Sequence, residues 1–291
     1  MSDVTAEPVA EVGPSRGTTL RVLMGAFVLF VANGLCFLMA PHWLRLRLPT
    51  AFLQASSARL LLIVPLILLG AWATRSRTRD FVTPVRPKEF AIGLLGPAAL
   101  FAAFVIAWLA GGFVVSPGYG HAPAVGERWI LSGYFAAALV EELVFRVALG
   151  ALLMRVLPWN VSIWCQALAF GLVHAGNPHV GFFALFNTVL AGAALGMVYA
   201  PRGSTERRLF AAWLWHAAWN WAQDRVLGIS VSGNRAGSGA MLESIPSDAW
   251  WSGGDYGLEG GLAVMMVLLV YVVVASRQRP SQGAAAATSL S

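Results

Sequence analysis

Two glutamates and an arginine, Glu141, Glu142 and Arg146, lie inside a run that is otherwise apolar, WILSGYFAAALVEELVFRVALGALLM from Trp129 to Met154. An ionisable group in a bilayer core costs at least about 2.5 kcal/mol on the gentlest scales, so three together need a reason. Neighbours on a helix point about 100° apart, so the two carboxylates cannot share one face. Glu142 and Arg146 are four apart, in the order that favours a helical ion pair, and that pairing makes Glu142 a structural acid. Glu141 is left facing elsewhere and must meet water or a partner. A carboxylate held in an apolar cavity is displaced toward the range useful for a general base. The plain alternative is a three-residue polar clamp between helices.

Two further apolar runs carry imidazoles. Phe170 and His174 stand one turn apart, ahead of the turn cluster Asn177-Pro178-His179. His216 and Asn220 share a face at i,i+4, flanked by an aromatic stripe of Trp213, Trp215, Trp219 and Trp221 that reads as packing or an interfacial belt. The His–Asn pair suits either an oxyanion site or plain interhelical glue. Asn187 is open to the same two readings, with glue ahead.

The elements that must position these groups follow from composition. The chain has 291 residues, 57% hydrophobic and 12% charged, with mean hydropathy +0.66; soluble domains carry about 25% charge. Apolar blocks near twenty residues long imply an all-α polytopic membrane protein, a helical bundle of about eight transmembrane spans. The expected spans are 20–40, 58–73, 89–115, 128–154, 159–176, 180–200, 207–225 and 258–276. The second is short and begins at Arg59, which would snorkel to the interface. Gly96-Pro97 is expected to kink the third, and Pro158 divides the fourth from the fifth. Residues 1–19 read as a mobile tail, 20–276 as one transmembrane domain, and 277–291 as a disordered tail.

The net charge of +6 sits between apolar blocks, which fits membrane topology and headgroups and not nucleic acid. With the N-terminus inside, inner segments hold thirteen Lys/Arg and outer ones six. Both termini are therefore expected in the cytoplasm. Cys36 and Cys165 lack a metal-binding or disulfide spacing and read as small buried apolar residues. The segment Gly228–Gly257 reads first as a solvated loop with Trp250-Trp251 as an interface anchor, and second as a lid over a cavity.

Glu-Glu-x-x-x-Arg, then Phe-x-x-x-His, then His-x-x-x-Asn, each in an apolar span, resembles the CAAX protease and bacteriocin-processing (CPBP) family of intramembrane endopeptidases, which includes the type II CAAX prenyl endopeptidases. Glu141, Glu142 and Arg146 match its first motif, Phe170 and His174 its second, and His216 and Asn220 its third. The resemblance covers roughly the second half of the chain. It implies that Glu141 and His174 activate a water for attack on a peptide carbonyl, while His216 and Asn220 stabilise the oxyanion. Glu142, Arg146 and Phe170 would support them. Family members have also been described as metalloproteases, and zinc would then be held by Glu141, His174 and His216. A His-Glu-x-x-His helix is absent and Asn is a poor zinc ligand, so the metal-free reading with no cofactor is preferred. The expected substrate is a membrane-associated or lipidated peptide or protein, within a bacterial inner membrane and inside a cavity among spans four to seven. A proton-coupled transporter and a non-catalytic binding or immunity scaffold are the rival readings.

Overall fold

The computed structural model describes residues 16–43, 48, 51–73, 77, 80–118, 126–234 and 240–278. Most of the two expected tails lies outside them. So do Arg45, Arg47, Arg75, Arg79, Arg235 and Arg279, on which part of the charge tally rests, and the side chain of Cys36.

The fold is predominantly helical. The long helices are α1 (Arg16–Trp43), α2 (Ala51–Ala73), α3 (Pro87–Leu109), α4 (Glu127–Glu142), α5 (Trp159–Val173), α6 (Phe182–Tyr199), α7 (Leu209–Trp221) and α8 (Leu262–Ser276). Each falls on one of the eight apolar blocks. Among the described residues, α3 and α6 are long and apolar enough to cross a membrane. Large apolar side chains also face outward on several helices, among them Trp72, Leu109 and Phe182. Charged groups such as Glu142 and Arg146 are instead fully buried. That inversion of the soluble pattern suits a lipid exterior.

Several boundaries differ from expectation for identifiable reasons. α1 already includes Arg16–Thr19, which composition had placed in the tail. α2 begins at Ala51, so Arg59 sits about 12 Å along the helix at 1.5 Å per residue and is not at its end. The third apolar block does not stay helical. It stops at Leu109, and Phe113–Pro117 forms strand β1, antiparallel to β2 (Leu242–Pro246) with Val115 opposite Ser244. The β-branched Val114 and Val115 favour this pleat, and the positive φ of Gly111 supplies the turn. The all-α class holds with one two-stranded ribbon added, whereas two helices, not eight, meet the length and hydropathy of a membrane span among the described residues. Pro97 lies within the uninterrupted α3, and Pro158 immediately precedes α5 as expected. Cys165 is exposed, so the buried reading fails for it.

Close helix packing depends on small residues. A Cβ on Gly96 would lie 2.5 Å from the Trp215 ring, so its absence lets α7 press against α3. A Cβ on Gly196 would lie 2.4 Å from Gln166 Nε2. That side chain donates to the Gly192 carbonyl (2.8 Å) and ties α5 to α6. The tryptophans near His216 do packing work. Trp215 and Trp219 are buried, while Trp213 donates to the Phe135 carbonyl (2.7 Å) and Trp221 to Glu127 Oε1 (3.0 Å).

At one end of the bundle the loop between α6 and α7 is fastened to the start of α3. Glu206 accepts from Lys88 (2.7 Å), Arg86 (2.9 Å) and Arg208 Nε (2.6 Å). The Lys88 hydrogen bond, reinforced by Arg208, holds the Glu206 carboxyl below its ordinary value against the opposing effect of burial. A depressed carboxylate contributes stability above its unfolded pKa and loses it as pH falls through the folded one. The melting-temperature advantage of the wild type over E206Q should therefore be present at about pH 7 and vanish by about pH 3. Thermal unfolding in neutral detergent at both pH values measures it, and a constant difference would show that the clamp contributes nothing.

Candidate active site

Helix α4 does not end at Glu142. It passes into a π-helical stretch, Leu143–Gly150, and then into the turn Ala151–Leu153. α7 likewise passes into a π-helical stretch, Ala222–Val226. Both departures come directly after the polar motifs, Glu141-Glu142 and His216–Asn220. Such i→i+5 widenings cluster at functional sites because they re-aim side chains that a regular helix would stagger.

Glu142 and Arg146 form the expected ion pair, Glu142 Oε2 to Arg146 Nε at 3.1 Å, with both side chains wholly buried. The Arg146 guanidinium lies over the Phe170 ring at 4.5 Å. Phe170 packs in turn against His174 and His216, with ring centroids 4.7 and 6.0 Å away. One aromatic side chain thus sets the spacing between the cation and both imidazoles.

Glu142 does more than pair with arginine. Its Oε1 lies 2.9 Å from His216 Nδ1, so a continuous line runs Arg146–Glu142–His216. His174 Nδ1 lies 2.7 Å from the Phe170 carbonyl oxygen. A carbonyl only accepts, so Nδ1 of His174 carries a proton and its Nε2 is the free position. A carboxylate held by arginine likewise accepts from Nδ1 of His216. Both Nε2 atoms turn to the same place, with Glu141 Oε2 3.9 Å from that of His174 and 3.8 Å from that of His216. This oxygen is buried without a hydrogen-bond partner. Acceptors facing one another across such gaps need protons or a cation between them.

These groups line a cavity of about 830 Å3 that is largely apolar and also includes Asn220. All four residues expected to act on substrate therefore share one space: Glu141, His174, His216 and Asn220. Glu142 and Arg146 stand behind its wall, and Phe170 forms part of it. The cavity is wider than expected. Arg59 of α2, Val264 and Leu268 of α8, and Val231, Ser232, Asn234 and Glu259 from the late connection join α4 to α7 in its lining. Arg59 is thus a cavity residue and not an interfacial one. His179 stays outside the cavity lining, exposed at φ 57° in the turn.

Among its described residues, Gly228–Gly257 packs in part against the rest of the chain. Val231–Asn234 is a tight turn closed in both directions at 2.9 Å, with Ser232 and Gly233 at φ 46° and 80°, the pattern of a type I′ hairpin turn. A Cβ on Gly233 would lie 2.0 Å from the Pro178 carbonyl oxygen. Asn177 Nδ2 donates to the Ser232 carbonyl (3.1 Å). The turn is therefore fastened to the end of α5 that presents His174. Trp250 is exposed as an anchor would be, but Ser252, Tyr256 and Leu258 are buried. Sequence reasoning passed over Glu259. Its one signal was an acid in a glycine-rich run, Gly257-Leu-Glu-Gly-Gly, directly before an apolar span.

Zinc chemistry has a donor set here in Glu141, His174 and His216, and the orphaned Glu141 oxygen fits it in kind. Tetrahedral zinc would draw ligand atoms to about 3.4 Å from one another, somewhat closer than the two separations above. Among the described residues no group of three His, Cys, Asp or Glu is already gathered as a metal cluster.

A mainly helical chain with glutamate–histidine pairs buried around an apolar cavity is consistent with a catalytic arrangement of Glu/His type. Residues 127–222 match the family model described as type II CAAX prenyl endopeptidase Rce1-like. The matched stretch holds all seven motif residues and ends before Ser232 and Glu259. No curated protein matches the chain.

Removing one partner of a buried ion pair leaves the other charge uncompensated, at a cost of about 3–5 kcal/mol. Arg146→Ala should accordingly lower the melting temperature sharply, and Glu141→Gln should leave it within about 1 kcal/mol of wild type because its Oε2 has no partner to lose. Equal destabilisation by the two would refute this division of duties.

Proposed function

We propose that the protein is an intramembrane endopeptidase that hydrolyses a peptide bond in a membrane-associated or lipidated peptide or protein. The observation that carries the reading is the buried, unpartnered Glu141 Oε2, faced by Nε2 of His174 and of His216 at 3.9 and 3.8 Å. A water among these three atoms donates its two hydrogens to Glu141 and His174 and keeps a lone pair for the substrate carbonyl. As it attacks, one proton passes to Glu141, His174 steadying the transfer. The carbonyl oxygen becomes an oxyanion, which accepts hydrogen bonds from Asn220 and from His216 Nε2–H. Collapse breaks the C–N bond, Glu141 returns the proton to the leaving amine, and a carboxylic acid and an amine result.

For His216 to donate at Nε2 while Nδ1 is held by Glu142, it must carry both protons. Glu142 in this reading holds His216 in orientation and charge, a task that joins the structural pair to the chemistry. Zinc, if bound, would be held by Glu141, His174 and His216 and would polarise the carbonyl; the water-activating glutamate is the preferred reading.

Eight apolar helices spanning the bilayer, with both termini in the cytoplasm of a bacterial inner membrane, complete the proposal. The outward-facing apolar side chains and the excess of inner Lys/Arg support it. A cytoplasmic reporter fused at either end should be active, and a periplasmic one silent; activity of a periplasmic reporter at one end would reverse the orientation.

The chemistry is tested by incubating purified protein in neutral detergent with candidate membrane peptides and detecting new termini by mass spectrometry. Glu141→Gln should reduce cleavage by a factor of about 100 or more, with folding intact. Persistent cleavage would sink the assignment of Glu141 as the water-activating group, and no cleavage by the unaltered protein would favour a transporter or a non-catalytic scaffold. In a parallel arm with a chelator, activity should persist, whereas loss restored by zinc would replace the metal-free mechanism.

A further inference from the structure

The same cavity has a second polar group on elements outside the matched stretch or unused by the chemistry above. Asn187 of α6 is 1% exposed. Its Nδ2 donates to two carbonyl oxygens at the approach to α8, those of Glu259 (2.8 Å) and Gly261 (2.9 Å). Only an amide NH2 can serve two carbonyls, so the orientation of the amide follows. Its Oδ1 is then an acceptor, buried and without a partner. The glue reading of Asn187 is satisfied by one end of the side chain and leaves the other unexplained.

Glu259, next to it, lines the cavity as well. One oxygen, Oε2, accepts from the Ser232 N–H (2.6 Å) and O–H (3.0 Å). Among the described residues the other oxygen has no hydrogen-bond donor. Ser232 holds its two donors in place at φ 46°, a conformation that a residue with a side chain rarely adopts. Both Ser232 donors go to the same carboxylate oxygen, so the turn leaves the other one open.

An unpaired acceptor and a half-paired carboxylate, adjacent on one wall of an apolar cavity, are costly unless something donates to both. We propose that Asn187 and Glu259 form a subsite for a cationic nitrogen, the ammonium or guanidinium of a lysine or arginine in the bound peptide. The Ser232 turn is its positioning element. Asn187 Oδ1 supplies one hydrogen bond and Glu259 a charge-assisted one, which is the stronger of the two. The apolar remainder of the cavity takes the hydrocarbon stem of the side chain and the flanking residues. This gives the peptidase a preference for apolar segments carrying one basic residue. It depends on the peptidase reading only in calling the ligand a substrate.

Binding and cleavage test the two readings separately. The probe is a fluorescently labelled apolar decapeptide with one lysine, compared with its norleucine twin, on the full chain in neutral detergent. Fluorescence anisotropy on the unaltered protein should show the lysine peptide bound about tenfold more tightly. Equal affinity overturns the subsite without need of any variant. In Glu259→Gln, which keeps an acceptor for Ser232, the preference should disappear; Glu259→Asp, which keeps the charge, should retain part of it. A preference that survives Glu259→Gln assigns Glu259 to fastening the turn alone and also overturns the proposal. Cleavage of both peptides without discrimination removes the subsite and leaves the peptidase. Discrimination in binding with no cleavage of either peptide leaves the subsite and removes the peptidase.

Discussion

A carboxylate buried between an arginine and a histidine is the interaction on which the rest of the site depends. Glu142 has Arg146 on one oxygen and His216 on the other, both contacts out of reach of solvent. In so apolar a setting neither charge survives alone, since breaking such a pair costs far more than an exposed bridge contributes. The requirement therefore acts on three helices at once. α4 must deliver Glu142 and Arg146 to one side, α7 must bring His216 to meet them, and α5 must place Phe170 beneath the guanidinium. The glycines at 96 and 196, where added side chains would collide with Trp215 and Gln166, let α3 pack closely behind α7 and α6 behind α5.

Once those helices are locked, the working side of the site is left incomplete. The Phe170 carbonyl and the Glu142 carboxylate take the Nδ1 side of each imidazole, so both Nε2 atoms face Glu141. Their gap of nearly 4 Å is too long for direct hydrogen bonds and suited to a small polar guest. The stable part of the cluster thus creates the unsatisfied part. The π-helical stretches after both motifs belong to the same compromise, since regular helices carry their side chains at fixed spacing and these sites need them slightly displaced.

The late connection gives the cavity its remaining wall. Its turn at Ser232-Gly233 is fastened to the Asn177-Pro178 turn, which joins the end of α5 that bears His174 to the wall that bears Glu259. The β1–β2 ribbon anchors that connection at its far side, pairing Leu242–Pro246 with the end of the third apolar block. In this glycine-rich segment, Gly228, Gly233, Gly253 and Gly257 take positive φ at places where an added Cβ would collide with backbone.

Much was legible from residue type and spacing. Apolar block lengths located eight helices, because a helix must satisfy its own backbone wherever water is scarce. Periodicity paired Glu142 with Arg146 and separated Glu141 from both, because the turn of a helix is a local property. What lay beyond reach depended on contacts between distant segments. No local rule could tell that Glu142 would also hold His216, that Arg59 lay well inside α2 and not at its end, or that Val114 and Val115 would leave a helical block to pair with a strand about 130 residues later. Nor could composition show that a glycine-rich loop would bring Glu259 to the cavity. Side-chain spacing along one helix is written in the sequence; which helices meet, and which acceptors are left without donors where they do, was decided only by tertiary packing.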